Sequence, residues 1–367
     1  MTNTSFFNEQ DLFISKILWY IIFTIIVILL IYYYYVRNLE KNECSFMDNL
    51  YSAINGNLRS INSADSNCNY TFKDYYIKTA YNCCSGGNYK NDFVSICNLK
   101  DIIKQGIRGL DMEIYNIEST PVVATSTSDN YFVKETYNYV EFGSVMNTIV
   151  NYAFSNSTCP NPQDPIVLHL RIKSNNQDLY TKMADIFKSN NTYLLDKEYS
   201  FENRNRNLGD AKLMDLAGKI VIIVDRLNTS FMENKEFLEY VNMTSNSMFM
   251  RALSYYDVKY TPDLQELQEY NKKNMTIAMP DKGSSPDNPN PIVVREAGCQ
   301  MIAMRYQNVD QYLEENIVFF DRANYAFALK PERLRYVPVT IPDPTPQNPE
   351  LNYATRTFST DYYSFNI

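Results

Sequence analysis

The stretch from Ile17 to Tyr35, ILWYIIFTIIVILLIYYYY, contains no charge, and Thr24 is its sole residue of the Ser/Thr/amide class. As a helix rising about 1.5 Å per residue it measures roughly 30 Å, the thickness of a bilayer's hydrocarbon core. Trp19 and Tyr20 stand at one end and Tyr32 to Tyr35 at the other, where amphipathic rings favour the headgroup region. A cleaved signal would have a shorter apolar centre and a small-residue cleavage site, whereas this run ends in four tyrosines. The sequence therefore predicts an uncleaved single-pass anchor over residues 17–36 that contacts the lipid bilayer. Lys16 before the run and Arg37 and Lys41 after it differ too little to orient it. All seven cysteines follow the anchor, as do N-x-S/T triplets at Asn69, Asn156, Asn228, Asn242 and Asn274, which suits a lumenal, disulfide-bearing domain. In a chain this rich in Asn such triplets also arise by chance, and seven cysteines leave one unpaired, so topology and pairing stay open.

Beyond the anchor the chain can bury a sizeable core, with 45% hydrophobic and 21% charged residues. Its net charge of −8 and pI near 5.0 argue against a nucleic-acid partner, because no broad surface would neutralise phosphates. One histidine in the whole chain, His169, excludes any mechanism that needs two imidazoles. Strand-like runs fall at 75–80, 107–115, 121–124, 166–172, 219–224, 276–279 and 301–306. Helical periodicity falls at 94–105, 139–154, 178–188 and 309–320. Apolar strands such as IVLHLRI and KIVIIV, separated by amphipathic helices, indicate a parallel sheet covered by helices. Seven or eight such units predict a TIM-type (β/α)8 barrel. The expected organisation is a tail (1–16), the membrane helix (17–36), a polar stalk with a helix near 46–54 (37–72), the barrel (73–340), and a Pro-rich, aromatic tail (341–367).

Five stretches, in order, resemble the X and Y halves of phosphatidylinositol-specific phospholipase C. These are NDFVSICNLKDIIKQGIRGLDMEIYN (91–116), PVVATSTS (121–128), PIVLHLRI (165–172), IAMPDKGSSPDNPNP with GCQMIAMRYQ (277–307), and FALKPERLR (327–335). The resemblance spans roughly Lys73 to Tyr336 and implies a PLC-like phosphodiesterase barrel with its site at the C-terminal ends of the strands. The Asn-, Tyr-, Ile- and Lys-heavy composition looks AT-rich in coding, and the whole is similar to membrane-anchored versions encoded by large DNA viruses.

The resemblance implies a histidine pair for proton transfer and a calcium ion held by carboxylates. Lys78 stands in the first histidine's place, Ala124 to Thr127 follow the strand where the second belongs, and Arg171 replaces a metal-binding glutamate. Asp111 and Glu113 match the two acidic positions and, two apart on a strand, share a face as the remnant of a metal site. A salt bridge from Lys78 to that pair is the expected replacement for calcium. His169 precedes Arg171 by two and shares its face. Ser284 and Ser285 match headgroup-contacting positions, Phe327 stands where a stacking tyrosine is expected, and Arg322, Lys330 and Arg335 supply positive charge. No cofactor is expected, since the calcium site looks incomplete. The chain thus reads as a barrel that keeps its fold and loses the standard chemistry, serving as a structural or binding component of a membrane, virion membranes included, with a lipid headgroup or a viral or host protein as partner. The competing reading is an active phosphoric diester hydrolase using His169, Lys78, Asp111, Glu113 and Arg171.

Overall fold

The computed structural model describes residues 3–338 except 129 and 131, together with 343–346, 348 and 354–367, with side chains from residue 13 onward. It divides into two units, Met1–Tyr336 and Val337–Ile367. In the smaller unit, β12 (Thr357–Ser359) and β13 (Ser364–Asn366) pair as an antiparallel hairpin on which Phe358 stacks with Phe365. Much of the Pro-rich stretch 341–350 lies outside the described residues.

Eight parallel strands form the body of the larger unit: β1 (Tyr75–Ala80), β2 (Gly109–Ile117), β5 (Ile166–Lys173), β6 (Ile220–Asp225), β7 (Met243–Ser245), β8 (Met250–Ser254), β9 (Met275–Met279) and β10 (Met301–Met304). Ladders run β7-β6-β5-β2-β1-β10-β9-β8, which leaves a seam between β7 and β8 in a nearly closed barrel. The expected strand at 121–124 is not a stave. It becomes β3 (Thr120–Ala124), which folds back antiparallel on β2 and pairs with β4 (Val140–Glu141). β11 (Phe327–Leu329) runs antiparallel to β1, with Leu329 opposite Tyr75, and so lies at the barrel's base.

Strand alternation sorts the side chains. Leu110, Met112, Ile114, Leu168, Leu170, Ile222 and Val224 face outward into the layer beneath the helices, while Ile77, Val167, Val221, Ile223, Met275, Ile277 and Met301 fill the barrel. This double burial explains why β5 and β6 read as continuous apolar runs. The surrounding helices are α2 (Ile96–Lys104), α3 (Phe142–Ala153), α4 (Gln177–Ser189), α5 (Ser200–Asn205), α6 (Lys235–Leu238), α7 (Tyr255–Lys259), α8 (Leu264–Lys273), α9 (Pro291–Glu296) and α10 (Gln311–Ala323); α5 is a left-handed turn with positive φ from Phe201. Ser95, Asn176, Asp263 and Asp310 cap α2, α4, α8 and α10 by accepting backbone N–H groups.

The first helix, α1 (Asn3–Tyr51), contains a segment long and apolar enough to cross a membrane, with mean hydropathy 2.6 and none of it buried against the barrel. The expected stalk is not a separate tether. α1 runs on through the 46–54 region to Tyr51, and Met47, Tyr51, Leu58, Ile61 and Cys68 are buried. The Tyr51 hydroxyl donates to the Tyr306 carbonyl at 2.8 Å, and Cys44 forms a disulfide with Cys97 at the start of α2. Burial and the adjoining Asp92 carboxylate push the Glu43 carboxyl up to about 10, so it meets Asp92 as a neutral acid. The polar composition hid this packing because the apolar side chains are widely spaced along it. The disulfide closes a 53-residue separation, for which a chain-entropy argument gives about 2–4 kcal/mol. Cys44→Ser is expected to lower the unfolding free energy of the detergent-solubilised chain by that much, read as a lower denaturant midpoint, whereas Ser45→Ala beside it leaves the midpoint unchanged.

Candidate polar centre in the barrel

Asp111 and Glu113 on β2 pair in register with His169 and Arg171 on the neighbouring β5. All four point inward and are at most 1% exposed. Arg171 bridges the two carboxylates: its Nε and one terminal nitrogen donate to Asp111 Oδ1 and Oδ2 at 3.0 and 2.7 Å, and the other terminal nitrogen donates to Glu113 Oε1 at 2.6 Å. The same guanidinium reaches Asn82 Oδ1 at 2.9 Å and lies over the Tyr81 ring. His169 Nδ1 is 2.7 Å from Asp111 Oδ1, and its Nε2 is 2.9 Å from the Ser245 hydroxyl on β7. The Ser245 hydroxyl in turn sits 3.3 Å from Asp225 Oδ1 at the end of β6. Glu113 Oε2 accepts from the Tyr115 hydroxyl and from both the backbone and hydroxyl of Ser126.

These contacts set the charge states. Burial would raise the Asp111 carboxyl, yet the Arg171 guanidinium and the His169 ring hold it far below the usual carboxylate range. Burial opposes the Arg171 charge, yet Asp111, Tyr81 and Glu113 push its pKa still higher. Every carboxylate oxygen of the pair already meets at least one donor, Asp111 Oδ2 also accepting from the Asn82 N–H at 3.2 Å. These residues do not fit calcium. Calcium takes six to eight oxygens, and here a fixed cation already lies between the two carboxylates. Among the described residues no cluster of three or more His, Cys, Asp or Glu is placed to hold a metal.

Lys78 does not make the expected salt bridge. Ile77 and Thr79 take the inward positions on β1, so Lys78 points outward, where its Nζ donates to the Gln105 carbonyl at 2.9 Å. Burial pulls its pKa down to about 8. In the stretch where the second histidine is expected, Thr125 bonds the Tyr89 carbonyl and Ser126 bonds Glu113, so neither position offers a titrating group. Ser284 and Ser285 do lie at the mouth: the Ser284 carbonyl accepts the Tyr89 N–H, and the Ser285 hydroxyl accepts from Arg305. Lys330 and Phe327 do not, because β11 runs antiparallel to β1 and places both at the base. Lys330 is 1% exposed and donates to the Asn271 carbonyl. Arg322 is in the last turn of α10, the helix that leads down to β11. Arg335 follows the short turn after Lys330 and lies over the Tyr70 ring, also at the base.

Residue matching alone missed Asn82, Ser126 and Ser245. Asn82 and Ser126 sit in loops just past β1 and β3, and Ser245 ends a three-residue strand too short to show periodicity. A small cavity of about 140 Å³ opens beside this centre, lined by Asn130, Phe132, Arg171, Asp225, Leu227 and Asn228 among others.

The family models for the X and the Y domain of phosphatidylinositol-specific phospholipase C match residues 68–226 and 220–333. Crystal structures of PLC21 from L. pealei and from S. officinalis align at TM-scores of 0.61 and 0.60, each with 18% identity. Each alignment covers 74% of this chain but only 38% of the relative, so the chain spans well under half the length of those proteins. The phosphatidylinositol-specific phospholipase C of Listeria monocytogenes aligns at 12% identity over 68% of this chain and 94% of its own, with a TM-score of 0.41. No curated protein matches the sequence. With consecutive X and Y domains on a nearly closed parallel barrel, the chain belongs to the PLC-like phosphodiesterases of the phosphatidylinositol-specific phospholipase C X/Y family.

Proposed function

We propose that this chain is a single-pass membrane protein whose PLC-like barrel has given up the family's hydrolysis and serves as a structural or binding component of its membrane. The observation that carries this reading is Arg171, whose guanidinium bonds both Asp111 and Glu113 where a metal-dependent mechanism needs a cation site. The missing histidine pair points the same way, since each acid–base group is worth roughly 10²–10⁴-fold in rate. A partner would be a lipid headgroup or a viral or host protein, and the AT-rich composition favours the envelope of a large DNA virus as the setting. A second reading, hydrolysis through His169, draws support from the contacts of its ring with Asp111 and Ser245. Lys78 takes no part in it, because its side chain points away from the barrel.

The test is release of inositol phosphate from vesicles of phosphatidylcholine and phosphatidylinositol by the reconstituted full chain, with and without calcium. Release at the level of protein-free vesicles is expected, and His169→Ala and Asp111→Asn should leave it unchanged. Release that rises with enzyme and disappears in either variant would establish the hydrolase instead.

A further inference from the structure

Six N-x-S/T triplets follow the apolar run, with asparagines at positions 69, 156, 190, 228, 242 and 274. The fold separates them by what each amide already does. Asn242 is 4% exposed; its Nδ2 donates to the Tyr199 carbonyl and its Oδ1 accepts the Ile222 N–H. The Asn228 amide donates to the Ile172 and Ser174 carbonyls at 3.0 and 2.8 Å, and the Asn190 amide to the Ile186 carbonyl at 2.8 Å. Asn274 is half-buried beside Asn207. Asn69 is exposed, yet its amide lies against the Ser63 and Asp65 carbonyls. Asn156 combines an exposed side chain with an amide that meets no partner among the described residues.

Asn156 stands in the turn between α3 and β5, at the base of the barrel where the parallel strands begin. Its neighbours hold that turn. The Thr158 N–H donates to the Ser155 carbonyl at 3.1 Å, and the Thr158 hydroxyl donates to the Tyr152 carbonyl at 2.6 Å. A bulky polar group on the Asn156 amide would therefore extend into water without displacing a contact. The Cys44–Cys97 disulfide is an independent observation that points the same way. Cys44 follows the apolar run and Cys97 belongs to the barrel, so the bond lies on the barrel's side of the membrane. Disulfides persist in oxidising compartments, which are also those where N-x-S/T asparagines meet their sugar donor. The five other cysteines are buried, out of an oxidant's reach.

We infer that the barrel stands on the lumenal, later extracellular, side of its membrane and carries an N-linked glycan on Asn156. The inference rests on the anchor reading above and adds to it a side of the membrane and a covalent modification. The donor is an oligosaccharide linked to a lipid diphosphate. A bond forms from Asn156 Nδ2 to the anomeric carbon of that sugar, and the bond from this carbon to the phosphate oxygen breaks. The lipid diphosphate leaves with the bonding electrons, and Nδ2 gives up one proton. No oxidant or reductant is consumed.

The test expresses the full chain in cultured eukaryotic cells and washes the membranes with alkaline carbonate. Peptide N-glycosidase in heavy-oxygen water then marks every asparagine that carried a glycan, and the marked positions are read by peptide mass spectrometry. The mark is expected at residue 156 and absent from residues 228 and 242. On a gel, Asn156→Gln should lose one mobility step that the glycosidase also removes from wild type, while Thr158→Ser, which keeps an acceptor triplet, retains it. Chain that stays in the washed membranes without a mark at residue 156, whether unmarked or marked only elsewhere, overturns the inference and leaves the anchor standing. Chain that the wash releases with residue 156 marked removes the anchor and keeps the glycan. Chain released without the mark removes both.

Discussion

Arg171→Ala is expected to destabilise the barrel by roughly 3–5 kcal/mol at pH 7, because it strands two buried carboxylates whose shared counter-ion is gone. Against the 5–15 kcal/mol typical of a folded domain that is a large fraction, and it should appear as a drop in Tm on the order of 10 °C. The wild-type sign is clear. Asp111 lies below its ordinary pKa, so its contribution is fully present above the unfolded value near 3.8 and is lost only as pH falls through the depressed folded value. Without Arg171, burial becomes the dominant influence on Asp111 and protonation relieves the penalty. The variant's deficit should therefore shrink as the solution is acidified toward the carboxylate range. The triple change Arg171→Ala, Asp111→Asn and Glu113→Gln removes the stranded charges with the cation, and should recover most of the loss at neutral pH. Denaturant unfolding of all three proteins at pH 7 and pH 5 checks this. A deficit that does not change with pH, or a triple variant no better than the single one, would mean that Arg171 acts by packing alone. The result also bears on function, since a guanidinium worth this much to folding is not readily displaced by a metal ion.

How far the sequence led depended on which physical rule each element obeys. β5 and β6 were legible because a strand buried on both faces must be apolar throughout, and observed ends differ from the expected ones by a residue. Alternation on β2 likewise put Asp111 and Glu113 on one face, and alternation on β5 put His169 with Arg171; the structure brings the two pairs together in register. Lys78 was misplaced because likeness of wording assigned it a role, whereas the alternation on β1, with Ile77 and Thr79 inward, turns it outward. Lys330 failed similarly: its turn resembles a family motif, but the antiparallel return of β11 carries it to the base. The Cys44–Cys97 bond was beyond reach, since seven cysteines allow many pairings and chain proximity decides among them only in three dimensions.

Lys330→Met should make the protein more stable at pH 6, and the gain should fade as pH rises. Lys330 is enclosed at the barrel base with its Nζ on the Asn271 carbonyl. Burial pulls its pKa down to about 7, opposed by Cys299 and Asp74 and assisted by Lys73. A lysine that loses its proton near 7 when folded and near 10.5 when unfolded makes the unfolded chain bind more protons throughout that interval, so stability rises with pH across it. At roughly 1.4 kcal/mol per pH unit the penalty approaches 5 kcal/mol at pH 6 and falls to about 2 kcal/mol by pH 9. Methionine fills a similar volume without a charge, and the Asn271 carbonyl keeps the Gln300 amide as a donor at 2.9 Å, so no acceptor is orphaned. Lys78, drawn down to about 8, adds a slope of the same sign above that pH in both proteins. The difference between wild type and variant therefore isolates Lys330. Denaturant unfolding at pH 6, 7.5 and 9 should show the variant ahead by several kcal/mol at the lowest pH and the gap narrowing by roughly 3 kcal/mol. A gap that stays constant, or a variant weaker at pH 6, would show that Lys330 keeps its charge and that an unrecognised anionic partner sustains it at the base of the barrel.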